Sequence, residues 1–208
     1  LDLIIATKNK GKAGEIAALL REFDVRVLTM DAFPEIGDIP ETGETFEENA
    51  LIKARAVARL TGMAALADDS GLEVDALAGA PGVYSARFSG PDATDATNNA
   101  LLLSKLEGVP PEDRGARFVS VIAVHAPVMD GKELLARGTW SGRITLSPHG
   151  ENGFGYDPLF IDEELGLTSA QLKPDEKNKR SHRAMALRRL AVAWPDFIRD
   201  IRDKGPNG

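Results

Sequence analysis

An apolar run from Met63 to Ala67 stops at two adjacent carboxylates, Asp68 and Asp69, and Ser70 and Gly71 follow. In an α/β protein, ligands gather where buried strands end. Adjacent acids at such an edge repel, so the pair calls for a cation or a shared proton. Gly71 lets backbone approach a ligand closely. These residues read as a Mg²⁺ site serving a phosphate ester. The plain alternative is an acidic turn, since Asp, Ser and Gly all form turns.

Leu3 to Ala6 reads as a short buried strand. The polar stretch Thr7-Lys8-Asn9-Lys10-Gly11-Lys12 follows as a loop, then a helix from about Ala13 to Phe23. Strand, polar loop and helix make a phosphate cradle, because helix N-termini present free N–H groups. The glycines of a Walker A loop are missing. Val25 to Leu28 reads as a second strand and Asp31 to Gly43 as a loop. Thr45 and Glu48 form a capping box. The helix behind it carries Phe46, Ala50, Ala54, Val57 and Ala58 on one face, with Asn49 and Lys53 four apart on another.

Asp92 to Leu106 is expected to be helical, with Ala100, Leu103 and Leu106 facing inward. Arg117 to Ala126 alternates as a strand, with Glu133 to Thr145 as its partner through an Asp130-Gly131 turn. In Gly150 to Pro158, glycines flank Phe154, Tyr156 and Asp157. A loop of this kind grips a flat ring by stacking, worth about 1–3 kcal/mol, or else packs its aromatics in the core. Pro158 to Ile161 reads as a strand. The C-terminal helix opens at Ser181-His182-Arg183 and offers Met185, Leu187, Leu190, Ala191 and Trp194 to the core. Donors such as His182 and Arg183 lie against the dipole field of a helix start, which points to a bound acceptor or anion. His125 and His149 read as structural, and the tail from Lys204 as frayed.

The net charge of −7 argues against nucleic acid as a partner, since that binding rests on Lys and Arg. Basic residues nonetheless cluster at Lys8, Lys10 and Lys12 and again at Lys173, Lys177, Lys179, Arg180 and Arg183, which suits a small anionic ligand. The chain has no cysteine, so disulfides and thiolate metal sites are excluded. This fits a reducing compartment. No signal peptide is visible, because the run Leu3 to Ala6 is short and Asp2 precedes it. The absent initiator Met points to a processed or trimmed start, and no stretch is long enough to span a bilayer.

The chain resembles the inosine-triphosphate pyrophosphatase family, in its bacterial branch acting on dITP and XTP. The matching segments are Thr7 to Lys12, Glu41-Thr42-Gly43 with Asn49 to Lys53, Ala67 to Leu72, Gly79 to Gly90, Gly153 to Pro158 and Ser181-His182-Arg183. They stand in the family's order over nearly the whole chain. The resemblance implies an α/β fold that is elongated and two-lobed, with a mixed central sheet flanked by helices and a deep cleft between lobes, over residues 1–208 as one catalytic domain. A cytoplasmic homodimer and Mg²⁺ go with it. The implied reaction is hydrolysis of ITP, dITP, XTP and dXTP to the monophosphate plus pyrophosphate, which cleanses the nucleotide pool. Carried over residue by residue, Thr7, Lys8, Asn9, Lys10, Gly11 and Lys12 line the triphosphate, and Lys53 meets phosphate. Glu41 and Asp69 hold the metal, Asp69 accepts the proton, and Ser70 contacts substrate. Phe154, Gly155, Tyr156 and Asp157 surround the base, and Lys177, His182 and Arg183 complete the nucleoside pocket.

The residue types suit these roles. Mg²⁺ takes oxygen ligands and often only one or two carboxylates. An ionised Asp69 can orient a water and accept its proton, while Lys12 and Lys53 offset charge on the leaving pyrophosphate. Donors such as His182, Arg183 or backbone N–H suit the six-keto group of inosine and xanthosine and would be left unpaired against an adenine amino group. The competing readings are a nucleotide sensor without hydrolysis and a pyrophosphatase for another modified nucleotide.

Overall fold

Leu3, Ile4 and Ile5 are wholly buried, as a strand covered on both faces requires. They belong to β1 (Asp2–Ile5), which pairs in parallel with β2 (Arg26–Thr29) and β3 (Ala64–Val74). The computed structural model describes residues 1–127 and 131–203. The remaining strands are β4 (Gly115–Ala126), β5 (Lys132–Ile144), β6 (Phe160–Asp162) and β7 (Leu167–Thr168). One seven-stranded sheet has the order β2-β1-β3-β4-β5-β6-β7. Its β5-β6 and β6-β7 pairs are antiparallel, so the sheet is mixed and the fold is α/β. The helices are α1 (Lys10–Leu19), α2 (Phe46–Thr61), α3 (Asp95–Lys105), α4 (Pro174–Arg180) and α5 (His182–Asp203).

The chain divides into two compact units. The first comprises Leu1–Asp69, Ser120–Gly138 and Arg183–Gly208. Its core gathers Leu3, Ile5, Ile16, Leu20, Leu66, Ile122, Val124, Leu187, Leu190 and Trp194. Phe23 meets the Trp194 ring edge-on with centroids 5.3 Å apart. The second comprises Ser70–Val119 and Thr139–His182. Its core gathers Leu72, Val74, Leu102, Leu106, Phe118, Trp140, Ile144 and Phe160. The guanidinium of buried Arg114 donates to the carbonyls of Leu106, Val109 and Thr145, satisfying acceptors at the end of α3. At Gly142 an added Cβ would fall 2.2 Å from the Ile161 carbonyl oxygen, so β5 and β6 approach as only glycine permits.

Several expectations are corrected. The strand does not stop at the acids: β3 runs through Asp68, Asp69, Ser70 and Gly71 to Val74. The α1 helix starts at Lys10, because the Asn9 side chain accepts from the Lys12 N–H and caps it there. Lys10, Gly11 and Lys12 are therefore its first turn. Of the positions expected to face inward around α3, Leu106 is wholly buried and Leu103 packs against the second core, but Ala100 is exposed and Asn98 and Leu102 are buried instead. Lys177 lies on α4, and the chain breaks at Ser181 before α5, where Ala191 is exposed and Phe197 joins the core instead. Asp130 and the tail from Lys204 lie outside the described residues. Among the described residues no helix is long and apolar enough to cross a membrane.

Candidate active site

Helix α2 begins at a reciprocal cap. The Thr45 hydroxyl accepts from Glu48 N–H, and the Glu48 carboxylate accepts from the Thr45 and Glu44 N–H groups. One turn on, the Asn49 carboxamide accepts from Gly43 N–H at 2.8 Å. A Cβ on Gly43 would fall 2.6 Å from Glu48 Cβ, so the segment carrying Glu41 lies directly against the helix. A further turn along, Lys53 is buried and its Nζ meets Glu41 Oε1 at 2.8 Å, Asp69 Oδ1 at 2.8 Å and the Asp68 carbonyl at 2.9 Å. An ammonium has three donors, and here each has an acceptor.

Two carboxylates from distant parts of the chain thus converge on one cation in the first unit. Burial works against the Lys53 charge, but Asp69 and Glu41 outweigh it and hold its pKa above the ordinary lysine value. Burial, opposed by Lys53, pushes the Asp69 carboxyl up. Among the described residues no cluster of three or more acids, histidines or cysteines could hold a metal by itself. The pair fits Mg²⁺ nonetheless, because that ion uses one or two carboxylates and draws its remaining oxygens from phosphate and water. A bridging ammonium already shows that these oxygens share one cation.

Asp68 serves a different group. Successive strand side chains point to opposite faces, and Asp68 is 1 % exposed. Its carboxylate accepts from Ser120 at 2.5 Å, lies 3.3 Å from Arg183 Nε and 3.3 Å from Lys12 Nζ. Arg183 also meets Glu15 at 2.6 Å. For Arg183 the anion expected at the start of α5 is thus met by the protein's own carboxylates, and this residue sits in the first unit among the acids. Burial lowers the Lys12 pKa against the pull of Asp68. Thr7 accepts from Asn9 N–H, Lys8 pairs with Asp38 at an exposed position, and Asn9, Lys10 and Gly11 are exposed around the start of α1.

In the second unit, Asp157 organises the glycine-rich loop. Its carboxylate accepts from Phe154 N–H at 2.8 Å, Lys177 Nζ at 2.7 Å and the Ser169 hydroxyl at 2.8 Å. A Cβ on Gly153 would fall 2.0 Å from that carboxylate. The Lys177 ammonium lies 5.0 Å from the centre of the half-buried Phe154 ring, within cation–π range. Tyr156 is a core residue, and its hydroxyl donates to the Ser85 carbonyl at 2.9 Å. His182 is buried with its ring stacked on Phe118 at 4.9 Å. Ser70 is half-buried on β3.

Sequence reasoning missed the roles of Asp68, Glu15 and Ser120. Glu15 stands three residues after Lys12 and so shares its helix face, a signal that was available. Ser120 carried none, because its partner is 52 residues away.

With this geometry in view, the likenesses to known proteins are specific. A "dITP/XTP pyrophosphatase" of Nitratidesulfovibrio vulgaris is 59% identical over 95% of this chain and 97% of that protein. A protein of the same name from Streptococcus pyogenes serotype M1 is 50% identical over 93% of this chain, which spans 58% of that longer protein. The solved structure of a HAM1 protein from Coxiella burnetii superposes with a TM-score of 0.85 at 44% identity, covering 94% of this chain and 99% of that one. The profile of the Ham1 family matches residues 3–193, and the chain belongs to that family.

Proposed function

We propose that this protein is a nucleoside-triphosphate pyrophosphatase that hydrolyses non-standard purine nucleoside triphosphates, ITP, dITP, XTP and dXTP, to the monophosphate and pyrophosphate. The carrying observation is the convergence of Glu41 and Asp69 on one buried cation, Lys53 Nζ. Two relatives at 59% and 50% identity bear the name dITP/XTP pyrophosphatase, which supports the substrate class.

In this reading Glu41 and Asp69 would hold Mg²⁺, which would supply positive charge to polarise the phosphoryl oxygens. Asp69 accepts the proton of the water that attacks the α phosphorus, and the bond to the bridging oxygen of the β phosphate breaks. Lys12, beside Asp68, and Lys53, beside Glu41 and Asp69, would offset the charge on departing pyrophosphate. Thr7, Lys8, Asn9, Lys10 and Gly11 around the start of α1 take the phosphates. Phe154 stacks on the base, with Lys177 on its ring and Asp157 holding the loop. Ser70 and His182 contact substrate, while Tyr156 and Arg183 support neighbouring groups from buried positions. A cytoplasmic homodimer without nucleic acid or membrane partners belongs to the same proposal and rests on the resemblance and the acidic charge.

The test is pyrophosphate release from ITP, dITP, XTP, ATP, GTP and modified pyrimidine triphosphates, with Mg²⁺ and with chelator. Release from the first three with Mg²⁺, lost on chelation, is expected. Equal turnover of ATP would reject the selectivity, and binding without release would favour a sensor.

A further inference from the structure

Both backbone groups of Gly155 are held by one face of helix α3. Its N–H donates to Asp95 Oδ2 at 2.7 Å, and its carbonyl accepts from Asn99 Nδ2 at 2.9 Å. Asp95 and Asn99 stand four apart, so they are neighbours on the helix surface. Gly155 has φ +63°, and nothing lies within 4 Å of where its Cβ would be. The glycine therefore serves the left-handed backbone rather than a crowded contact. The preceding N–H, that of Phe154, is held by Asp157. Two successive amides of this loop thus donate to carboxylates, which fixes the peptide on both sides of the Phe154 Cα.

We infer that Asp95 and Asn99 are positioning residues for base binding: they clamp the Gly155 peptide and hold the Phe154 ring where a purine stacks, without touching the nucleotide. This rests on the assignment of the loop to the base under the proposed function. It has a corollary for selectivity. The N–H groups of Phe154 and Gly155 are engaged within the protein, so neither is the donor that reads the six-keto group.

The clamp is loaded by ordinary hydrogen bonds, so losing one should weaken nucleotide binding about tenfold. Asp95→Ala and Asn99→Ala are expected to raise KM for ITP by about that factor while kcat stays within about twofold. Asp95 is exposed, so its replacement leaves the core intact, and Asp95→Asn, which keeps an acceptor, should restore KM. Inhibition by inorganic tripolyphosphate, which has no base, should be the same in all variants. Amide exchange at Gly155 should be slow in the unaltered protein and faster in Asp95→Ala. An unchanged KM, an equal loss of tripolyphosphate inhibition, or failure of Asp95→Asn to restore KM would overturn the inference and leave the proposed function standing. An unaltered protein that binds no nucleoside triphosphate, even with the Gly155 amide protected, would overturn both.

Discussion

Asp68 and Asp69 are neighbours in sequence with opposite tasks. Asp68 is enclosed with Arg183, Lys12 and Ser120. Neutralising it leaves buried cations short of a counter-charge, and breaking such a group costs about 3–5 kcal/mol. Because Arg183 keeps Glu15, Asp68→Asn is expected near the lower end, about 3 kcal/mol by urea denaturation. Asp69 differs in what remains when it is neutralised, because buried Lys53 keeps Glu41 and the Asp68 carbonyl. Asp69→Asn should therefore cost less stability than Asp68→Asn, while under the proposed function turnover falls by about 10²–10⁴, the usual worth of a general base. A large stability loss at Asp69 with turnover retained would reverse the two assignments. The adjacent acids were conspicuous in sequence and suggested one shared cation. That they take separate sets of cations was not legible, since it follows from strand alternation and the sequence stretch reads as a turn.

At the scale of elements, α2 ties the site together through its first turns. Removing the Thr45 hydroxyl should cost about 1 kcal/mol, as for other N-caps, and Thr45→Ser should restore it in thermal unfolding. A second device joins α2 to β5 and β4. Arg55 forms a two-pronged pair with Glu133, whose carboxylate also meets His125 Nδ1 at 3.0 Å. The hydrogen bond from Arg55 holds the Glu133 pKa below its ordinary value of 4.5. A lowered carboxylate pKa means that the fold favours the ionised form. Its contribution is therefore present above about pH 4.5 and lost as pH falls through the lower folded value. Arg55 is half exposed, which limits the gain to about 1 kcal/mol. The stability gap between wild type and Glu133→Gln should be open above the ordinary carboxylate value of 4.5 and close as pH falls through the lower folded value. A gap that widens in acid would refute this. Caps and strand alternation made α2, β4 and β5 legible. The end of α5 was not, because a proline inside a helix ordinarily breaks it, yet α5 runs through Pro195 to Asp203. The α3 clamp on Gly155 was equally silent, because its partners lie 56 and 60 residues apart.

For the whole molecule, the arrangement of strands matters more than either core alone. The two units have separate apolar clusters, which by themselves would permit separate melting. The strands β3, β4 and β5 each begin in one unit and end in the other. A strand cannot keep half its ladder ordered while the other half is released without fraying the buried backbone groups between. Unfolding should therefore be one cooperative event. The two tryptophans of the chain offer a direct reading, because Trp194 lies in the first core and Trp140 in the second. In Trp140→Phe the remaining fluorescence follows the first unit, and in Trp194→Phe the second. Coincidence of fluorescence with far-ultraviolet circular dichroism within each variant is the standard criterion for all-or-none behaviour. Leu190→Ala in the first core should cost about 2–5 kcal/mol. Added to Trp194→Phe, it should shift the Trp140 signal in the second unit by the same amount as the dichroism. If that signal instead kept its midpoint while part of the dichroism moved, the three strands would be joining two independently folding bodies, and the damage of a core substitution would stay within its own unit.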